Sequence, residues 1–359
     1  MSILTIRQLM LVISITVACN AAESMPPVSD LLDRYTQALD STKSFIDHFE
    51  QSGEYSYRLR VGGSGPRFNV TADKGKNSER GQSRQDGRRF YNQMYRWGDI
   101  NQTIRDIPED SPYYWCKILQ DKQFYWHTRR VNSSLSNGSA STYPYTKRKG
   151  VKPLLGPEGL FYLLGYVPTH PRVDTILRGA YNISVREETE TIRGSACYVI
   201  DADTKYGQYT VWLDPEHGYH PARVRNRTKQ GDYFKKRQLS KGDIGKAYLE
   251  VVRFEKVDGI WVPMEADVGY YRTDSSPQYF VKGDMHYKRT KIILNPDHDK
   301  LGSFNNPILE DPNNDPELIN GTRVTINNSP IEYTWQNGKL VDDKGNIIID
   351  CMSKKQPKK

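Results

Sequence analysis

The segment YTVWLDPEHGYHPARVR, residues 209–225, reads as strand, tight turn, strand. Tyr209, Val211 and Leu213 alternate with Thr210 and Trp212, the period of two that marks a strand. Pro215 presets φ for a type I turn, Asp214 can bond the turn backbone, and Gly218 can take the left-handed position. The hairpin carries neither a nucleophile nor a phosphate-binding loop, and its neighbours are patterned alike. Strands are predicted over residues 181–191, 196–202, 209–213, 222–229, 246–257, 260–271 and 278–293. Arg193-Gly194, Tyr206-Gly207 and Asp258-Gly259 mark the other turns. Short connections between successive strands predict an antiparallel meander. Several strands are apolar on both faces: Cys197 and Val199 oppose Tyr198 and Ile200, and Leu249 and Val251 oppose Tyr248, Val252 and Phe254. A sheet with one solvated face alternates more cleanly, so both faces are predicted to be covered.

Upstream, residues 45–60 read as two strands broken at Ser52-Gly53, and residues 68–97 as strand with a turn at Gln85-Asp86-Gly87. Residues 113–119 and 123–128 form a hairpin around Asp121-Lys122. Residues 131–150 read as a long polar loop ending in Lys147, Arg148 and Lys149. Three helices punctuate the strands. Residues 26–41 place Val28, Leu31, Leu32, Tyr35 and Leu39 on one face, with Ser29 or Asp30 as cap. Residues 156–167 are apolar nearly all round, through Leu160, Phe161, Leu163 and Leu164; Pro157 suits the first turn and Pro168 the end. A third, short helix covers 171–177. Residues 295–319, rich in Asn, Asp and Pro, read as a linker, and residues 321–349 resume strands.

Composition agrees with a β-dominated chain. Hydrophobic residues are 36%, so the core must draw on the 24 Tyr, 10 Phe and 6 Trp. Residues 1–22 have the pattern of a secretory signal: Arg7, a short apolar run over 9–17, then Ala18, Ala21 and Ala22. Cys19 after small residues is a candidate lipidation site. Loss of Arg7 with the signal takes the net charge from +8 to +7, still basic enough to favour anionic lipid headgroups or acidic envelope polymers. Export excludes nucleic acid as the expected partner. Cys116, Cys197 and Cys351 remain, an odd number that permits one disulfide at most and is expected to give buried thiols.

No G-x-S-x-G, H-E-x-x-H, P-loop or dinucleotide fingerprint occurs. His217 and His220 beside Asp214 and Glu216 invite a metal reading, but they flank a turn and the spacing suits ordinary surface better. Asp201 with Asp203, and Glu187, Glu188 and Glu190, could be paired carboxylates or solvated strand ends. Arg58, Arg60, Arg84, Arg88, Arg89 and Arg96 line predicted strands and turns. Arginines there can hold a lipid headgroup or simply face water.

The order of elements resembles a known family. A signal and an amphipathic helix precede Phe45-Ile46-Asp47-His48-Phe49-Glu50-Gln51. Ile118-Leu119-Gln120-Asp121-Lys122-Gln123-Phe124-Tyr125-Trp126 and the apolar Phe161-Tyr162-Leu163-Leu164 follow. Tyr181-Asn182-Ile183, Cys197-Tyr198-Val199-Ile200 and Val211-Trp212-Leu213-Asp214-Pro215 complete the series. Over residues 27–292 this is similar to the periplasmic outer-membrane lipoprotein-sorting carriers (LolA-like), and more loosely to sensor domains of the RseB type. The resemblance implies a mainly β, α+β fold: an open antiparallel β half-barrel with covering helices, whose concave apolar face holds acyl chains. In that family an arginine followed by proline, before the third strand, helps hold the closed state. The matching region here has Arg84, Arg88 and Arg89 but no Arg-Pro pair.

These readings give the expected organisation: signal peptide 1–22, half-barrel domain 27–294, linker 295–319, small β extension 320–351 and basic tail 352–359. The expected function is an exported lipid or lipoprotein carrier in the periplasm or envelope, monomeric, without cofactor or metal and not an enzyme. Leu160, Phe161, Leu164, Trp126, Trp212, Arg84, Arg88 and Arg89 are the candidate ligand-binding residues. The alternatives are an envelope stress sensor or interaction module of the same fold, and a secreted hydrolase.

Overall fold

A computed structural model describes residues 25–61, 69–87, 89–98, 112–120, 123–131, 138–144, 172–234, 237–273, 280–327 and 331–350. Helix α1 (Val28–Ser41) forms where the sequence predicts it. It buries Leu31, Leu32, Tyr35, Ala38 and Leu39, the stripe that 3.6-residue spacing generates. Each fully buried large side chain contributes about 1.5–3 kcal/mol, so the docked stripe, and not intrinsic propensity, holds the helix. No side chain caps it: Pro27 is the N-cap residue, and Asp30 lies in the first turn, where it complements the helix dipole. Helix α2 (Val173–Arg178), predicted over 171–177, buries Val173, Ile176 and Leu177. Thr36 Oγ1 donates to Asp174 Oδ2 at 2.9 Å, and Arg178 Nη2 to Asp33 Oδ1 at 2.7 Å, which ties the two helices together.

The first strands are β1 (Ser44–Val61), β2 (Asn69–Asp86), β3 (Arg89–Gly98), β4 (Tyr113–Gln120), β5 (Gln123–Arg130) and β6 (Ser139–Pro144). After α2 come β7 (Asn182–Val185), β8 (Glu190–Ile192), β9 (Ser195–Thr204), β10 (Gly207–Asp214) and β11 (His220–Thr228). A two-residue hairpin pair, β12 (Tyr233–Phe234) and β13 (Arg237–Gln238), stands apart. The long strands β14 (Ile244–Val257), β15 (Ile260–Thr273) and β16 (Phe280–Leu294) follow. Last come β17 (Arg323–Ile326), β18 (Glu332–Gln336), β19 (Lys339–Val341) and β20 (Ile347–Asp350).

These form one open sheet. From one edge, β7 and β8 lie on β9, followed by β10, β11, β14, β15, β16, β1, β2, β3, β4, β5, β6, β17, β18, β19 and β20. Every pairing is antiparallel except β6 with β17. Among the described residues, the β7 and β20 ends do not pair with each other, so the sheet does not close. The expected mainly β fold, an open antiparallel sheet with helices on one face, is the fold observed.

Both faces are covered, as the two-faced strands require. Under α1 and α2 the sheet presents Ile200, Val211, Leu213, Val224, Leu249, Val251, Ala266 and Val268 in one core. This is the inner face. On the outer face of β3–β6, Tyr91, Tyr114, Cys116, Ile118, Tyr125 and Ala140 pack against Phe304, Ile308, Val324, Trp335 and Leu340.

Several expectations change. Residues 44–61 are one continuous strand, with Ser52 and Gly53 inside it; a Cβ at Gly53 would run into the Asp284 carbonyl across the ladder, so this glycine serves close approach and not a turn. The expected loop 131–150 contains β6, which supplies the edge for β17. The expected strand 181–191 is two strands, interrupted at exposed Glu187 and Glu188. Residues 295–319, expected to be a linker, are packed: Phe304, Ile308, Asn314 and Asp315 are buried. Their Asn and Asp content serves turn and capping hydrogen bonds, such as that from the Asn313 amide to Asp311 Oδ1 at 3.2 Å. The predicted helix 156–167 lies outside the described residues.

Candidate functional site on the inner face

Strand parity decides what each residue can touch. On β10, Val211 and Leu213 face inward under α1. Trp212 faces outward, where it packs with Ile192, Cys197, Val199 and Ala222. Its Nε1 donates to Glu190 Oε2 at 2.8 Å, and Arg223 and Arg225 lie over its ring at 5.5 and 5.4 Å. The structure therefore separates Trp212 from the inner face, on which a ligand chain was expected.

The inner face has two halves. Towards β9–β11 and β14–β16 it is filled by α1 and α2. Towards β3–β6 it is aromatic and basic. Met94 and Trp115 join the main core, while Phe90, Leu119 and Phe124 form a small cluster with Tyr143 against it. Trp126, on the same face by register with Lys117, is 45% exposed. Lys117 Nζ lies 4.4 Å from the Trp115 ring and 6.0 Å from the Trp126 ring, and Arg130 lies over Tyr113 at 5.5 Å.

Between these halves lies a charge pair that sequence reasoning missed. Asp47 and Arg289 are both fully buried, with Nε donating to Oδ2 at 2.8 Å. Arg289 Nη1 also donates to the Pro263 carbonyl at 2.9 Å, and the guanidinium lies over Phe45 at 5.7 Å. Burial pushes the Asp47 carboxyl up to about 6, against the charge and hydrogen bond of Arg289. The signal was present: in Phe45-Ile46-Asp47-His48-Phe49, period two puts the carboxylate on the same face as both phenylalanines.

The candidate arginines go to the outer face. Arg84 Nη1 donates to the Ser303 carbonyl at 3.1 Å and Asn314 Oδ1 at 2.8 Å, with its guanidinium over Tyr91 at 4.1 Å. Arg89 pairs with Asp86 and Asp299 and lies over Phe304. Both hold the C-terminal segment onto the sheet, on the side opposite the inner face. Beneath that segment Asp315 is buried. Its Oδ1 accepts from Tyr114 at 2.6 Å, and its Oδ2 accepts from Tyr125 at 2.6 Å and meets His127 Nδ1 at 2.8 Å. Burial alone would raise the Asp315 pKa, but the hydrogen bond and charge of His127, then the tyrosine hydroxyls, hold it below the usual value. Arg88, Leu160, Phe161, Leu164 and Cys19 lie outside the described residues.

On the outer face of β14–β16 and β1, a groove of about 500 Å³ is lined by Glu54, Tyr248, Glu250, Asp267, Asp284 and His286. His286 is held between Asp267 at 2.8 Å and Glu265 at 2.9 Å, and the hydrogen bond to Asp267 raises its pKa despite partial burial. The histidines of the opening hairpin are otherwise engaged. His217 Nδ1 meets Asp214 Oδ2 at 2.7 Å, and its ring stacks on Phe254 at 4.5 Å. His220 is buried, and desolvation lowers its pKa to about 4. Asp201 pairs with Arg186 at 2.7 Å and accepts from Thr210, while Glu190 holds Arg186 and Trp212. No group of three or more metal-ligating side chains occurs among the described residues. No helix among them is long and apolar enough to cross a membrane.

No protein-family model and no curated protein matches this sequence. Solved structures give distant likenesses. The ywiB protein from Bacillus subtilis aligns at 5% identity over 70% of this chain and 97% of its own, with a TM-score of 0.16. The MucA/MucB complex of Pseudomonas aeruginosa aligns at 8% identity over 75% and 99%, with a TM-score of 0.19. A second structure, MucB in complex with MucA(peri), aligns at 9% over 75% and 100%, also at 0.19. At such values the fold description rests on this chain's own geometry.

Proposed function

We propose that this chain is a non-enzymatic binding protein that holds the acyl chain of a lipid or lipoprotein against the inner face of β3–β5. The observation that carries the reading is Trp126, an indole left 45% exposed on a face where Phe90, Trp115 and Phe124 are buried. Lys117, next to it across the ladder, supplies a cation beside an apolar strip. Burial of a methylene contributes about 0.8 kcal/mol, so roughly eight of them supply about 6 kcal/mol without any catalytic group. The signal-like residues 1–22 support an envelope location, with lipidation at Cys19 as a further element of the proposal. Leu160, Phe161 and Leu164 remain part of the proposed lining.

Mass spectrometry of the purified protein, with uptake of fluorescent lipid from vesicles, tests this. Trp126→Ala should weaken uptake at least tenfold with little change in melting. Serine at Leu160, Phe161 or Leu164 should weaken uptake more than folding. A protein that carries no lipid and takes none from vesicles retires the carrier reading.

A second reading, an interaction module, is favoured by the far edge of the sheet. Ile347 and Ile348 of β20 are 54% and 49% exposed, a surface to which a partner strand could be added. Lysine at both positions should then abolish partner capture from an envelope extract and spare lipid uptake. Capture that tolerates both lysines removes this edge from consideration.

A further inference from the structure

One row of inward-facing positions crosses the middle of the sheet. Asp47 pairs with Ser83, Ser83 with Asn92, Asn92 with Lys117, and Lys117 with Trp126. The rows on either side are mostly apolar: Phe49, Gly81, Met94, Trp115 and Thr128 on one, Phe45, Gln85, Phe90, Leu119 and Phe124 on the other. The central row is therefore more polar than either of its neighbours. It runs from a fully buried end to the exposed Trp126, and neighbouring strands lie about 4.8 Å apart.

The buried end is unsatisfied. Asp47, Ser83, Asn92, Tyr287 and Arg289 are all 0–1% exposed. Among the described residues, Asp47 Oδ1, Ser83 Oγ, both polar atoms of Asn92, Tyr287 OH and Arg289 Nη2 have no hydrogen-bond partner. Native interiors satisfy most buried polar groups, and a cluster of orphans calls for a missing partner. The set contains N–H donors, carboxylate and carbonyl acceptors, and hydroxyls that can do either. Asp47 and Arg289 already neutralise each other, so that pair offers no unspent counter-ion to a charge brought to the Ser83–Asn92 end.

We infer that Ser83 and Asn92 form a subsite for an uncharged group that both donates and accepts, a carboxamide being the simplest, at the head of an amphiphile. This rests on the acyl-binding reading above and adds an orientation to it. The head enters first and reaches Asn92, about 10 Å from Trp126 across two strand gaps. The tail lies back along Trp115 and Trp126. Lys117 sits between them over the Trp115 ring, so a fatty carboxylate is the competing ligand.

Tryptophan emission of the full chain, titrated at pH 8 with dodecanamide and with dodecanoate, tests the subsite. Dodecanamide should bind at least tenfold more tightly. Asn92→Leu should bring the ratio to about one, and Ser83→Ala should reduce it. The unliganded Asn92→Leu protein should melt no lower than the parent, because an orphaned amide has been removed. Equal affinities, tighter dodecanoate, or a preference that survives Asn92→Leu overturns the subsite and leaves the carrier reading standing. A lower melting temperature for both variants also overturns it, since Ser83 and Asn92 would then have structural partners. Failure of both ligands to bind overturns subsite and carrier together.

Discussion

Replacing Asp315 with Ala should release the C-terminal segment from the sheet. The carboxylate is buried beneath it and meets Tyr114, Tyr125 and His127 at 2.6–2.8 Å. Truncation leaves three buried polar groups without their partner, each worth about 1–3 kcal/mol of desolvation, so a loss of about 5 kcal/mol is expected. The orphans should outweigh the lost bonds. Adding Tyr114→Phe and Tyr125→Phe removes two of them, and the triple variant should recover at least about 2 kcal/mol relative to Asp315→Ala alone. Urea unfolding reads the stabilities, with Trp335 emission reporting the outer core. Limited proteolysis should show new cuts within residues 303–320 of the single variant. The pH dependence has a definite sign. The folded pKa of Asp315 is depressed, so its contribution is present above the unfolded value near 4 and is lost as pH falls further. A single variant that loses under about 1 kcal/mol and shows no new cleavage, or a triple variant less stable than the single, refutes the latch.

His220 also destabilises the fold as pH falls, but over a higher range. Its folded pKa of about 4 lies below the usual 6.5, so the unfolded chain binds the extra proton between those values. Stability should fall by about 3 kcal/mol from this group as pH drops from 6.5 to 4, and His220→Leu should remove that slope in pH-resolved melts. Asp47 runs the other way. With a folded value of about 6 it binds a proton more readily when folded, so its ionisation costs stability as pH rises from about 4 to 6. Replacing Asp47 with Leu and Arg289 with Met together should be near neutral at pH 7 by urea midpoint, whereas Asp47→Leu alone should cost about 3–5 kcal/mol. Gly207 has φ +101° and faces the Arg227 carbonyl on the neighbouring strand β11, so Gly207→Ala should lower the stability read by urea unfolding by about 2 kcal/mol.

Hairpins were the legible part of this fold. β4 pairs with β5, and tight turns join β9 to β10 and β14 to β15; period-two patterning places their residues correctly. The C-terminal segment was misjudged because Asn, Asp and Pro mark turns equally well in a linker and in a packed strap. Arg84 and Arg89 were recognised as strand arginines, but their face depends on the register of β2 with β1 and β3, which composition does not supply.

Sequence alone determined the β character, the helix at 28–41, most hairpin turns and the need for cover on both faces of the sheet. These follow from local periodicity and turn chemistry. Only the tertiary structure decided that β1 pairs with β16, that β17 joins β6 in parallel, and that Val211 and Leu213, not Trp212, face inward. Those pairings join residues more than 180 positions apart. Their free energy comes from burial once the chain has closed on itself, and no local pattern records it.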